Sequence, residues 1–317
     1  MHPAGSIILF TTASGLGYGL LFITGIYAAL VPNSPSPTFG LAALGIALGT
    51  VTLGLLSSTF HLGHPERAWR AVSQWRSSWL SREGVLALVT YVPAAYFAIG
   101  WVFLDTDIGA WRTSGILSAL LAVLTVISTS MIYASIKSIP RWHNCWVPAT
   151  YLLFALLSGL LWFDALLRLF GHTQQNITLL ATGCVVVALL AKWAYWRKTD
   201  NDAPVATIGT ATGLGAKVTM LEPPHTGENY LLKEMGFQIA RKHAVKLRRA
   251  AIFLTFLIPF CLCVLTLLTS GTTATFSAIL AAIIAQTGIV VERWLFFAEA
   301  QHVMSLYYGR ELGNEAS

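Results

Sequence analysis

The sequence predicts an all-α membrane protein, a bundle of eight transmembrane helices in a single anchor domain over residues 1–317. Three observations carry that prediction. Only 11% of the 317 residues are charged, whereas a soluble domain carries about a quarter. Hydrophobic residues make up 55%, gathered into runs, and eight runs reach the ~20 residues that a helix needs to cross a bilayer. Most connections between the runs are short, as in an up-and-down bundle. The same numbers exclude an ordinary soluble enzyme.

The first run, about 6–31, has no basic segment ahead of it and is too long for a signal-peptide core, so it is expected to remain as a helix. Gly15 and Gly19 within it, and Gly45 and Gly49 in the second run (about 39–60), recur four apart, the spacing that lets helix backbones approach closely. The run Gly15-Leu16-Gly17-Tyr18-Gly19 has no strand before it, which excludes a nucleotide loop. Gly63 and Pro65 are helix-ending signals and place His61 on the last turn of the second run, at the interface. The third run (about 84–104) follows Ser81, a candidate cap, with Glu83 in the first turn. There Glu83 either serves the helix dipole or handles protons. The fourth run (about 114–136) carries Tyr133 near its inner end, as an interfacial-belt residue or as a hydrogen-bonding one.

The fifth run (about 147–169) holds Asp164 and Arg168, spaced to pair on one helix face. The sixth (about 176–196) leads into a polar segment, 197–249, with Gly209, Gly213, Gly215 and a Pro223-Pro224 break. This segment is expected to be a long cytoplasmic loop with one short amphipathic helix. Its basic end (Arg241, Lys242, Lys246, Arg248, Arg249) reads as an anchor on anionic lipid or as a docking site for a soluble partner. The seventh and eighth runs, about 250–270 and 273–297, follow, with Glu292 and Arg293 near the inner end of the last and Glu299 beyond it.

Eight spans put both termini and the loops 61–83, 137–146 and 197–249 on one face. Sixteen of the 20 Lys and Arg fall on that face, and only Arg112 and Arg168 on the other. The positive-inside rule makes the basic face cytoplasmic. The net charge of +6 is therefore a matter of sidedness, not of nucleic-acid affinity, and no nucleic-acid module is visible.

All eight histidines (His2, His61, His64, His143, His172, His225, His243, His302) fall at span ends, in loops or in tails. A membrane cytochrome b holds haem between histidines inside its helices, so a haem-free protein is expected. The four cysteines show no CxxC spacing for zinc or iron–sulfur clusters, and three of them lie within spans as small apolar side chains. With no metal in this chain, electrons must be stored elsewhere.

The stretch His61-Leu62-Gly63, Pro65, Arg67-Ala68, Leu80-Ser81 and Glu83 resembles the corresponding loop of the membrane anchor subunit of dimethyl sulfoxide reductase, the DmsC family. A second block, Tyr133 with Ser138-Ile139-Pro140-Arg141-Trp142 and Trp146-Val147-Pro148, is similar to that family's passage from the fourth span into the fifth. Two features depart from the pattern: the length of 197–249, and His64, where a small residue is more familiar.

The resemblance implies an anchor in the bacterial inner membrane. Its partners would be an iron–sulfur subunit with four clusters and a molybdopterin catalytic subunit, in anaerobic respiration. It implies binding and oxidation of menaquinol, with His61 and Glu83 as the catalytic pair. Quinol oxidation releases two protons and two electrons, so the site needs acceptors at both ring oxygens and a proton exit. A neutral His61 can take a proton near neutral pH, and Glu83 at the aqueous edge would pass it on. Tyr133 would hydrogen-bond a quinone carbonyl, and His64 and Arg67 complete the candidate binding set. Arg67, Arg76, Arg82 and Arg141 are placed to meet an acidic iron–sulfur partner. The site is expected between spans two, three, four and eight. The alternatives are a passive tether without quinone chemistry, and a secondary transporter; the latter is disfavoured by the lack of internal repeats or paired Gly/Pro interruptions.

Overall fold

A computed structural model describes residues 5–31, 35–59, 64–106, 108–215, 218, 221–222, 227 and 243–308. Eight helices in it are long and apolar enough to cross a membrane: α1 (Gly5–Leu30), α2 (Pro37–Thr59), α3 (Trp79–Phe103), α4 (Ala110–Ala134), α5 (Trp146–Leu169), α6 (Gln175–Asn201), α8 (Ala244–Leu268) and α9 (Gly271–Ala298). A five-residue helix, α7 (Ile208–Thr212), lies between α6 and α8. The described residues contain no strand, so the all-α, polytopic expectation holds.

α1 and α5 form the centre. α1 packs on α2, α4, α5 and α9, while α5 also meets α6 and α9; α3 pairs with α4, and α8 with α6 and α9. A helix surrounded by partners needs small residues on more than one face. Gly19 of α1 sits against the backbone of Ala155 in α5, and Gly159 of α5 against Gly19, leaving no room for a side chain at either. Gly17 lies against Ala47 and Val51 of α2, and Gly25 against Gly115 of α4. Of the four glycines singled out by their spacing, only Gly19 makes such a contact, and Gly15, Gly45 and Gly49 face open space. Spacing reveals that residues share a face; it does not reveal which face is covered.

Two helices begin five or six residues earlier than hydropathy predicts. α3 starts at Trp79 after Ser78, so Ser81 does not cap it, and both Ser81 and Glu83 are buried inside the helix. Arg82 stitches this entry. Its guanidinium donates to the carbonyls of Trp75 (3.0 Å) and Arg76 (2.7 Å) and lies 4.3 Å from the Trp79 ring centre. α8 starts at Ala244, which makes Lys246, Arg248 and Arg249 its first turns and not the end of a loop. Residues 244–249 contain good helix formers and no breaker, so backbone bonding continues into the headgroup region. Of 197–249, α6 takes the first residues through Asn201; Arg241, Lys242, Pro223 and Pro224 lie outside the described residues.

Both α3 and α8 contain a wide π-helical turn, at Ile99–Phe103 and Phe253–Leu257. In α8 the turn precedes Pro259, which cannot donate a backbone bond, and it rests on Gly288 of α9, where a side chain would strike Thr255 and Leu254.

The charged connections meet at one end of the bundle. Arg141 (after α4), Asp200 (end of α6), Arg248 (start of α8) and Glu299 (after α9) form one ion-pair network. The bonds are Arg141 to Glu299 (3.1 Å) and Asp200 (3.2 Å), and Arg248 to Glu299 (2.8 Å) and Asp200 (2.5 Å). The short helix Val303–Tyr308 docks on α7 at the same end, burying Leu306 against Ile208, with Tyr307 Oη donating to the Ala211 carbonyl (3.0 Å). At the other end Asp164 and Arg168 pair within α5 (3.2 Å), and both bond Thr178 of α6, as their spacing predicted.

Candidate functional site

The site grows from Glu83. Because α3 begins one turn early, this carboxylate lies five residues into the helix, only 4% exposed, and accepts a hydrogen bond from Thr129 Oγ1 of α4. The expectation of Glu83 at the aqueous edge is therefore corrected. Its depth is about 6 Å below the start of α3 at ~1.5 Å per residue. A buried carboxylate is costly unless bonded or protonated, and the single donor from Thr129 leaves further acceptor capacity open.

Thr129 also lines a small, partly open cavity between α1, α4, α5 and α9, of about 20 Å³, enough for one water, in which polar side chains stand among apolar ones. Tyr18, Thr12, Tyr151, Ser158 and Arg293 line it as well. The hydroxyls of Tyr18 and Tyr151 and both Nη atoms of Arg293 are buried without a hydrogen-bond partner among the described residues. Tyr151 lies within reach of Arg293 and Tyr18 within reach of Thr125, but without good hydrogen-bond geometry, so water or a ligand group in the cavity would complete their bonding.

Arg293 connects this cavity to a second buried cluster. Its Nε donates to Glu292 Oε2 (2.7 Å), and Lys192 of α6 meets Glu292 Oε1 at 2.5 Å. All three side chains are at most 3% exposed. Aromatic faces hold the cations: the guanidinium is 4.2 Å from the Tyr151 ring centre and 4.9 Å from Phe296, and Lys192 Nζ is 3.9 Å from Tyr195. Tyr133 is buried in the adjoining aromatic box, with ring centres 5.2 Å from Trp142, 5.3 Å from Phe297 and 5.9 Å from Tyr151.

Tyr18 also borders an apolar cleft of about 140 Å³, lined by Phe22, Ala122, Val123, Leu152 and Leu156. Tyr18, Val126 and Ala155 border both spaces. Tyr18 thus divides an apolar recess from a polar one.

The residues expected from the sequence divide into three groups. Glu83 and Tyr133 lie in the buried region, on α3 and α4. His64 and Arg67 lie on the exposed surface beside Glu66, at 3.0 and 3.7 Å, and so are not gathered around Glu83. His61 lies outside the described residues. Among the arginines expected to face a partner, Arg67 and Arg76 are exposed, but Arg141 is taken up by Asp200 and Glu299 and Arg82 by the α3 entry. Of the spans expected around the site, α4 and α9, the fourth and eighth, line the cavity with α1 and α5, and none of its lining residues comes from α2. Tyr18, Thr129, Tyr151 and Lys192 were missed as site residues. Lys192 and Arg293 carried one readable signal, a charge inside an apolar span, which is expensive and marks function by default.

The family model described as DMSO reductase anchor subunit (DmsC) matches residues 1–309. The chain is 32% identical to the C subunit of the sulfite dehydrogenase of Allochromatium vinosum, across 97% of this chain and 99% of that one. It is 24% identical to the C component of the anaerobic dimethyl sulfoxide reductase of Haemophilus influenzae, over 58% of this chain and 67% of the other. With the C component of the Escherichia coli anaerobic dimethyl sulfoxide reductase it shares 31% identity over 44% of this chain and 48% of that one.

Proposed function

The chain belongs to the DMSO reductase anchor subunit family, and from that premise we propose that it exchanges electrons between menaquinol and an iron–sulfur subunit docked on its basic face. As a family member it is a multi-pass membrane anchor of a complex with catalytic and electron-transfer partners. In this reading those partners are a four-cluster iron–sulfur subunit and a molybdopterin subunit, in the bacterial inner membrane with the basic face cytoplasmic. The anchor itself carries no haem or metal.

The observation that carries the reading is the juxtaposition at Tyr18 of an apolar cleft with a polar cavity that reaches Glu83 through Thr129. A quinol is amphipathic in the same sense, with an isoprenoid tail suited to the cleft and hydroxyls that need acceptors. In oxidation the two O–H bonds break, two electrons pass one at a time to the partner's clusters, and Glu83 and His61 accept the protons. The exposed Arg67, Arg70 and Arg76 beside Trp69 and Trp75 offer a basic, aromatic surface on the same face for the partner. The test is quinol-dependent cluster reduction in the assembled complex. Glu83→Gln and His61→Ala are each expected to lower the rate by about 10²-fold or more, the scale of a lost proton acceptor. Wild-type rates in both would leave the passive-tether reading, which predicts no binding of a quinol analogue.

One observation favours a second reading, with electrons running from the partner into quinone. The match to the sulfite dehydrogenase relative spans nearly the full length of both proteins, whereas the matches to the dimethyl sulfoxide reductase relatives span about half of this one. A dehydrogenase withdraws electrons from its substrate, so its anchor would reduce quinone and Glu83 would donate a proton. Sulfite-driven quinone reduction against quinol-driven dimethyl sulfoxide reduction, in the same complex, separates the two directions.

A further inference from the structure

Glu83 is buried, so a proton that it takes cannot pass directly to water, and the fold must offer a way out. Tyr18, Tyr151 and Arg293, whose polar atoms are buried without a well-formed hydrogen bond, line a cavity of one-water size whose wall includes Thr129, the hydrogen-bond partner of Glu83. Arg293 reaches from that cavity to Glu292, and Glu292 reaches Lys192. Beyond Lys192 lies Glu299 (7% exposed), near enough to act on the charge of Lys192, and Glu299 shares Arg141 and Arg248 with Asp200 (27%). Tyr195 lies along this path, its ring under Lys192 and its hydroxyl donating to the Arg141 carbonyl (3.2 Å).

We propose that the buried pair Lys192–Glu292 is a proton relay between the quinol site and the basic face, fed by water that Arg293 holds in the cavity. This rests on the quinol reading above. One quinol O–H breaks as a Glu83 O–H forms, the second proton goes to the other acceptor of that reading, and two electrons leave one at a time for the partner's iron–sulfur clusters. The Glu83 proton crosses the cavity by Thr129 and water, and since Glu292 does not line the cavity, a further water held beside Arg293 carries it on to Glu292. Lys192 then releases a proton to Glu299 or Asp200 and regains one from Glu292, which restores the pair. Arginine cannot take part in the transfer because it does not deprotonate, so Arg293 orders water and fixes Glu292. For quinone reduction the same path runs inward. The cost of a lysine inside a span argues that it is kept for a task, since an apolar residue in its place would pack more cheaply.

The test uses the assembled complex in vesicles with menaquinol as donor. Lys192→Arg keeps the charge and the pairing with Glu292 but cannot release a proton. It is expected to lower kcat roughly tenfold or more, with KM for quinol unchanged and a larger solvent deuterium isotope effect. The double variant Lys192→Met/Glu292→Gln removes one charge of each sign and carries the same expectation if the longer guanidinium disturbs assembly. Glu292→Asp is expected to recover most of the rate. Unchanged kcat and isotope effect, or a fall in rate with the isotope effect unaltered, would overturn the relay and leave the pair a structural one. Glu83→Gln measured alongside keeps the two ideas apart. If Glu83→Gln abolishes oxidation while the Lys192 variants do not, the relay alone is wrong; if Glu83→Gln is fully active, the quinol reading is wrong as well.

Discussion

Glu83 shows how one turn of helix changes the chemistry available to a residue. Placed in the first turn it would face water and exchange protons freely; placed five residues in, it is 4% exposed and depends on Thr129 and the polar cavity. The sequence identified the residue by motif, but its depth depends on where α3 starts. That start is set by Arg82 bonding back to Trp75 and Arg76, a contact no periodicity reveals. His302, outside the spans, gives a residue-scale prediction of its own. Its Nδ1 accepts the Met304 backbone N–H (3.1 Å), and partial burial holds the ring below the ordinary histidine value of 6.5. The neutral ring is the one the fold uses, and the unfolded segment binds the proton more readily. Stability from this contact is therefore complete above about pH 6.5 and is lost as pH falls below it. The protection factor of the Met304 amide, which removes the intrinsic slowing of exchange toward acid, should fall on acidification; protection that improves toward acid would contradict the assignment.

At the scale of elements, contact between helices in lipid depends on close packing, because the surrounding chains are as apolar as the helix faces. α1 meets four other helices, and the Gly19–Gly159 crossing with α5 is its tightest approach. Gly159→Leu is expected to cost about 1–3 kcal/mol or more through overpacking and to lower the yield and thermal stability of the purified complex. Gly45→Leu faces open space and should be tolerated in the same assay. Equal sensitivity at the two positions would mean that the α1–α5 crossing is misdescribed. The glycine pattern of the sequence marked α1 as a packing helix. It could not separate Gly17, Gly19 and Gly25, which touch three different helices, from Gly15, because all recur in one uniformly apolar run. The π turn at Phe253–Leu257 was equally invisible, since its cause is the meeting of Pro259 and Gly288 across two helices.

For the molecule as a whole, the network of Arg141, Asp200, Arg248 and Glu299 brings the connections after α4, α6 and α9 and the start of α8 to one end. Cys145, exposed just before α5 at that end, is a native reporter of sidedness. In oriented vesicles a membrane-impermeant thiol reagent should label Cys145 from the same side as a cysteine introduced at Gln74, and from the side opposite one introduced at Thr106. If the basic face is cytoplasmic, that side is exposed in inside-out vesicles. Labelling of positions 145 and 74 from opposite sides would contradict the eight-span arrangement.

Hydropathy summed over about 20 residues is a one-dimensional quantity, and with the count of Lys and Arg in each loop it was enough to determine eight spans and a basic face, while the resemblance to the family rested on the residues of two loop motifs. Which side chains meet inside the bilayer depends on the rotation and depth of each helix against its neighbours, and these are decided only when the bundle packs. Lys192 and Glu292 are 100 positions apart, and nothing along the chain pairs them; the crossing of α6 and α9 around α5 does. The sequence by itself determined that polar residues are scarce and lie toward one face. The tertiary structure decided which of the few buried ones meet, Glu83 with Thr129 and Lys192 with Glu292, because a charge withdrawn from water persists only where another helix supplies its partner.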